Sequence, residues 1–166
     1  MSNTDITNRI PALCSQLKLL LEKDMSDLAN LKKTLGDESI ALKERNSEKI
    51  AQLAKLKSSL VKQLEDRARA KVKLINASGA KIQAGKVKSG IDALGDAELS
   101  QLWSDSLTQL DECKQLNQIN GLVIERSRTR NQKIMDMVRG QHTKPKLYGN
   151  RGGEQAYASA NTIAKA

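Results

Sequence analysis

Aromatic residues are nearly missing from this sequence of 166 residues. Phe does not occur, and only Trp103, Tyr148 and Tyr157 carry aromatic rings. Proline occurs only at positions 11 and 145, so most of the chain lacks the strongest helix breaker. A core of Leu, Ile, Val and Ala suits thin layers between helices better than the thick interior of a sandwich or barrel. The composition therefore favours an all-α fold.

Side chains that could act in catalysis or bind a metal are also scarce. The single histidine, His142, lies near proline and glycine with no cysteine close by, so it builds neither a nucleophile–base pair nor a histidine-rich metal cluster. Cys14 and Cys113 lack metal-ligand spacing and indicate reduced thiols in a cytoplasmic protein. The glycine-rich run at 149–153 follows no predicted strand and opens no predicted helix, unlike a phosphate loop. We predict a binding protein, not an enzyme, with no catalytic residue, metal or cofactor.

Long apolar runs are missing as well. The longest, at residues 19–21, is flanked by charge and is far shorter than a membrane span. The first residues do not combine a basic region with an apolar one, which a cleaved signal would need. We therefore expect a cytoplasmic location and no integral membrane segment.

Positive charge, in contrast, is abundant and concentrated. The formal net charge is +9, and residues 43–88 hold all of the excess, with 13 Lys and Arg against 4 Asp and Glu. Such a segment suits nucleic acid, an acidic membrane surface or an acidic protein partner, or it forms a solvated helix face. Because few aromatic rings are present to stack on bases, we predict no specific nucleic-acid site.

Apolar residues recur at helical spacing over three long stretches. The first predicted helix covers about 10–35, and Gly36 followed by Asp37 predicts its stop and the next cap. The second covers about 37–76, and its apolar stripe thins at 43–49, which suggests a kink or break. Four glycines at 79–95 predict a long connection.

The third predicted helix covers about 96–139 and carries a heptad pattern. Its a positions are Leu99, Ser106, Cys113, Asn120, Ser127 and Ile134, and the series four residues on is Trp103, Leu110, Asn117, Ile124, Asn131 and Val138. From residue 141 the periodicity ends, so residues 1–140 should form the bundle and residues 141–166 a disordered tail. The whole predicts a long antiparallel helical hairpin with a third long helix beside it, in a coiled-coil-like bundle.

Asn117 and Asn120 fall on the apolar face of the third helix. Buried asparagines can hydrogen-bond within a bundle and set the register between helices. Alternatively they mark a partly open groove for another helix. Because the polar centre of this face packs poorly as a core, we predict that Ile124, Ile134, Met137 and Val138 provide the main contact with a partner protein.

The run at 116–124, which reads LNQINGLVI, resembles the asparagine–glycine signature of the FlgN family of flagellar export chaperones. Leu102 and Trp103 lie upstream, as a leucine–tryptophan pair often does in that family. Gly140, the tail run Leu147, Tyr148 and Gly149, and then Gly152 resemble the family's tyrosine–glycine tail. The chain departs from the pattern at Gly153, where a basic residue commonly follows the second glycine, and in its longer tail.

The resemblance implies a chaperone for the hook-associated proteins FlgK and FlgL. Such a chaperone holds the C-terminal segments of these proteins and delivers them to the flagellar type III export gate, including FlhA. With Asn117, Asn120 and Gly121 of the signature run, the expected substrate-binding residues are seven in all, and the resemblance assigns gate docking to Leu147, Tyr148 and Gly149. Two alternatives stay open: a basic helical protein that associates with nucleic acid or ribosomes, and a structural coiled-coil adaptor.

Overall fold

A computed structural model of the chain describes residues 3–77 and 87–139. Four helices follow one another: α1 is Asn3–Glu44, α2 is Ser47–Ala77, α3 is Val87–Asp92 and α4 is Ala97–Val138. The chain divides into two compact units, Met1–Arg126 and Ser127–Ala166. The first unit holds α1, α2, α3 and most of α4, and the described part of the second is the last stretch of α4. The predicted flexible tail at 141–166 lies outside the described residues.

Helix α1 runs through Gly36, where the sequence predicted a stop, and ends only at Glu44. The helix stays packed on both sides of Gly36, because Leu35, Glu38 and Ala41 are all buried. That packing offsets the roughly 1 kcal/mol that a glycine costs inside a helix. The predicted boundary between helices at 35–37 is therefore wrong.

The turn between α1 and α2 lies within 43–49, where the thinning apolar stripe suggested a kink or break. Arg45 adopts a left-handed conformation with φ of 56°. Its amide donates to the Leu42 carbonyl at 3.3 Å, and the Asn46 amide donates to the Ala41 carbonyl at 3.0 Å. These two bonds are the Schellman pattern that ends a helix without glycine when another residue accepts the left-handed conformation. The Asn46 side chain then accepts from the Lys49 amide at 3.0 Å and caps α2.

Two apolar clusters hold the first unit together. The cluster near the start of α1 consists of Cys14, Leu17, Leu21, Ile75, Ile91 and Leu99. The cluster further along α1 consists of Leu28, Leu31, Leu35, Leu60 and Cys113. Along α1 the partners on α2 fall in residue number while those on α4 rise, so α2 is antiparallel to α1 and α4 is parallel to it. The predicted all-α hairpin with a third long helix is confirmed.

Candidate partner-binding surfaces

Along the start of α4, one residue in every seven is buried. Leu99, Ser106, Cys113 and Asn120 are its buried residues, and they are four successive a positions of the predicted heptad. The next two a positions, Ser127 and Ile134, are exposed. Between residues 121 and 138, Asp136 alone is half-buried and every other residue is exposed. The helix therefore continues its apolar pattern past the point where it buries any side chain.

In the first unit, the exposed apolar residues of α4 follow directly on the packed part. Ile119, Leu122 and Val123 are spaced as i, i+3 and i+4, which places them on one face of the helix, and Leu122 is 59% exposed. Ile124, a predicted contact residue, is also exposed. A side chain at Gly121 would meet nothing within 4 Å, so the surface around this glycine is open.

In the second unit, Ile134, Met137 and Val138 repeat the same spacing. Their exposed fractions are 50%, 63% and 77%, which is unusual for side chains of this size and polarity. Met135 beside them is exposed as well. Ile134 and Val138 belong to the two heptad series, and Met137 was predicted as a neighbour on the same face. The prediction did not include Ile119, Leu122, Val123 or Met135, which lie off both series.

Asn120 hydrogen-bonds within the bundle, which is the first of its two predicted roles. Its side chain is 2% exposed. The amide nitrogen donates to the Leu35 carbonyl and to the Glu38 carboxylate, each at 2.9 Å. Glu38, also buried, accepts from the Lys57 ammonium at 2.7 Å. The amide nitrogen of Asn120 is therefore occupied within the bundle and is not accessible to a partner.

Asn117 lies one turn before Asn120 and is exposed. Its side-chain oxygen accepts from the Lys57 ammonium at 3.2 Å. It therefore lies at the edge of the polar cluster that Glu38 and Lys57 form, where a partner can still reach it.

A second polar cluster lies between the two apolar clusters. The Arg67 guanidinium donates to Asp24 and to Asp27, each at 2.5 Å, and Lys71 pairs with Asp24 inside the bundle. Burial lowers the pKa of Arg67, but the hydrogen bonds to Asp24 and Asp27 outweigh that effect and leave the pKa raised. The Lys71 ammonium also lies 5.3 Å from the centre of the Trp103 ring. Part of the positive charge of residues 43–88 thus pairs with carboxylates of α1 inside the bundle. The charge distribution along the sequence did not predict these internal ion pairs.

The two cysteines are buried and form no disulfide. Burial raises the pKa of both thiols. A protonated thiol is a poor nucleophile and a poor metal ligand. No group of three or more His, Cys, Asp or Glu in the described ranges is placed to hold a metal ion. None of the described helices combines the length and apolar character that a membrane crossing requires.

The amino-acid sequence of the chain is similar to those of known proteins. The model of the family described as "FlgN protein" matches residues 13–156, which is most of the chain. The chain belongs to the FlgN family. A 61-residue segment of it is 38% identical to the "Flagella synthesis protein FlgN" of Proteus mirabilis, and this match covers 37% of the chain and 41% of that relative. No solved structure matches the chain.

The FlgN match includes residues 147–149, the predicted gate-docking run. These residues lie outside the part of the chain that the structure describes, and their role stays a prediction. The match also includes every described residue of the α4 surfaces, so the exposed apolar residues belong to the region that the family shares.

Proposed function

We propose that this FlgN-family chain is a cytoplasmic export chaperone and not an enzyme. It binds the C-terminal segments of the hook-associated proteins FlgK and FlgL and delivers them to the flagellar type III export gate, where FlhA receives it. The observation that carries this proposal is that α4 exposes apolar side chains in each unit taken by itself, at 119–124 in the first and at 134–138 in the second.

The chemistry of this surface suits a helical segment of another protein. Apolar side chains three and four residues apart are the pattern that an amphipathic helix meets when it binds by its apolar face. Covering them removes apolar area from water at about 25 cal/mol per Å², from which the ordering of both partners must be subtracted. Unassembled filament segments with apolar stripes self-associate when they are exposed. A surface of this kind shields them until export.

The ion pairs within the bundle also favour a protein partner over nucleic acid. Lys57, Arg67 and Lys71 are bound to carboxylates of α1, so they are not available to track a phosphate backbone. Any binding of DNA or RNA should be weak, independent of sequence and steeply dependent on salt. Tight, sequence-selective binding at physiological salt would contradict the chaperone proposal.

The substrate surface is tested by a double substitution in the second unit. Ile134→Asp with Val138→Asp should abolish binding of FlgK and FlgL, because it places two carboxylates where apolar contacts are expected. Both side chains are at least half-exposed, so the helical content should not change. Titration calorimetry measures the binding, and circular dichroism measures the helix.

A matched control carries the same two charges on the other side of α4. At about 3.6 residues per turn, Thr129 and Gln132 lie roughly opposite Ile134 and Val138, and both are exposed. Thr129→Asp with Gln132→Asp should keep substrate binding. If the first variant binds as well as the unchanged chain, or if both variants lose binding equally, the surface is not the substrate site.

The docking step is tested separately at Tyr148. A tyrosine between Leu147 and Gly149 offers a large amphipathic ring at little cost in rotamer freedom, which is typical of an interface anchor. Tyr148→Ala should weaken binding to FlhA and leave FlgK binding and helicity unchanged. The mutant is titrated against both partners. Equal losses for both, or an unchanged affinity for FlhA, would show that Tyr148 is not a dedicated docking residue.

A further inference from the structure

Helices α2 and α4 leave an open groove between them on one side of the first unit. One depression in it has a volume of about 440 Å³ and a second about 190 Å³. Both include Leu110 in their walls, so the two depressions adjoin at this residue. Three leucines of α1 make its floor, namely Leu28, Leu31 and Leu35. The α4 wall extends from Trp103 to Asn117, which is about 21 Å at 1.5 Å per residue.

The walls of this groove include apolar side chains that no described residue of the first unit covers. Val61 and Val72 on α2 and Leu107 on α4 all line it and are all exposed. The buried indole nitrogen of Trp103 has no hydrogen-bond partner in the described part of the chain. Three helices thus bury one side of a bundle and leave the place of a fourth helix open.

The rim of the groove is positively charged. Lys57, Lys62 and Lys114 line its larger depression, and Glu65 is the one acidic residue there. Lys57 is paired with Glu38. Lys62 and Lys114 form no ion pair with any described residue. An occupant with carboxylates flanking an apolar stripe would complement both features.

The chain's own candidate segments have the wrong charge. Residues 141–166 contain four Lys and Arg and a single Glu. The exposed end of α4, at 125–139, contains five Lys and Arg against two acidic residues. Both segments carry a net positive charge, which Lys62 and Lys114 would repel. Charge complementarity therefore favours a different protein.

We propose that the α2–α4 groove docks an acidic amphipathic helix of a partner protein, about four turns long, as the fourth helix of the bundle. The leucines of the partner helix fill the space above Leu31 and Leu35, and its carboxylates pair with Lys62 and Lys114. This site is separate from the exposed surface of α4, and it does not depend on the flagellar assignment.

Trp103 is the one tryptophan of the chain and lines the groove, so its fluorescence reports occupation directly. The probe is a tryptophan-free peptide of 18 residues with Leu on one helical face and Glu elsewhere. Its matched control has Lys in place of every Glu. The Glu peptide should shift the Trp103 emission to shorter wavelength and should lose affinity as salt rises. The Lys peptide should leave the emission unchanged. No shift with the Glu peptide, or equal shifts with both peptides, overturns the proposal.

Charge reversal gives the sharper test. Lys62→Glu with Lys114→Glu should exchange the preference, so that the Lys peptide binds about tenfold or more tightly than the Glu peptide. Lys55→Glu with Lys73→Glu changes two exposed lysines of α2 that do not line the groove, and it should keep the original preference. Val61→Asp should weaken binding of the Glu peptide by about tenfold or more. Equal behaviour of the two reversed pairs would show that the rim charges do not select the occupant.

Two measurements without peptide exclude the chain itself as occupant. The Trp103 emission of the full chain should not depend on protein concentration, and Leu147→Asp with Tyr148→Asp in the tail should not alter it. A concentration-dependent shift would assign the groove to a second copy, and a shift on tail substitution would assign it to residues 141–166. Either result overturns the proposal. Ile134→Asp with Val138→Asp should bind the Glu peptide like the unchanged chain, which separates this site from the proposed substrate surface.

Discussion

Residues 99–120 and residues 121–138 of α4 continue one heptad pattern in different surroundings. In the first stretch the a positions are buried even though Ser106, Cys113 and Asn120 are small or polar. In the second stretch Ile134 is half-exposed at an a position, and Val138 is 77% exposed four residues later. Burial along this helix therefore follows the presence of packing partners and not the hydrophobicity of the side chain. The exposed apolar residues of the second stretch are the ones that we propose for contact with a partner protein.

The largest expected difference between the two stretches concerns stability. Leu99 is fully buried between α1 and α3 side chains, so Leu99→Ala should lower the free energy of unfolding by about 2–5 kcal/mol. Val138→Ala should change it by less than about 0.5 kcal/mol, because the side chain already lies in water. Urea unfolding followed by circular dichroism measures both. Similar losses for the two variants would show that the end of α4 is packed after all.

A smaller difference is expected for two asparagines of the same helix. Asn120→Ala leaves the buried Glu38 carboxylate without one of its donors, and a hydrogen bond to a charged group contributes about 1.5–3 kcal/mol. Asn131→Ala, in the exposed stretch, should be neutral or slightly stabilising, since alanine has the higher helix propensity. Unfolding of both variants is compared under the same conditions. A neutral Asn120→Ala would mean that water or Lys57 alone satisfies Glu38.

The smallest effect is expected at the start of α4. The Leu99 amide donates to the Asp96 carboxylate, and this bond together with Lys18 lowers the pKa of Asp96 below its ordinary 3.8. A lowered pKa in the folded chain contributes stability above pH 3.8 that is lost as the pH falls through the folded value. Asp96→Asn keeps a cap but removes the charge, so it should lower Tm slightly at pH 7.

The pH dependence separates that charge effect from capping. The Tm difference between Asp96→Asn and the unchanged chain should close as the pH falls below 3.8. It should also shrink in high salt, because salt screens the partly exposed pair of Lys18 and Asp96. Asp136→Asn, at the other end of α4, removes the same charge and serves as the control for the loss of a carboxylate from this helix. A Tm difference that persists in acid would mean that the asparagine fails as a cap.

Much of the fold follows from apolar periodicity and cap residues. The third predicted helix, at about 96–139, agrees with α4, and the hairpin of two long helices is present. The turn of the hairpin was misplaced because Gly36 and Asp37 resemble a stop and a cap. Helix α1 instead ends with Arg45 in a left-handed conformation. Arginine is not a residue type from which this conformation can be predicted. Periodicity also could not distinguish buried from exposed members of the heptad, since that depends on how far the neighbouring helices extend.

The candidate sites were less accessible to sequence reasoning. Residues 134, 137 and 138 could be selected because they lie on the heptad face. Asn120 was open to two interpretations, and only its contacts with Leu35 and Glu38 decide between them. The concentrated positive charge suggested an external partner, whereas Arg67 and Lys71 serve carboxylates inside the bundle. The sequence shows which segments carry charge. It does not show which oppositely charged side chains of another helix lie within ion-pair distance.

Hydrogen exchange along α4, measured by mass spectrometry, tests the central claim most directly. In the free chain, amides at 99–120 should exchange slowly, and amides at 121–139 should exchange faster, because tertiary packing protects only the first stretch. Addition of a C-terminal segment of FlgK should slow exchange at 121–139 and leave 99–120 almost unchanged. Equal protection of both stretches in the free chain, or FlgK-induced protection that avoids 121–139, would contradict the account.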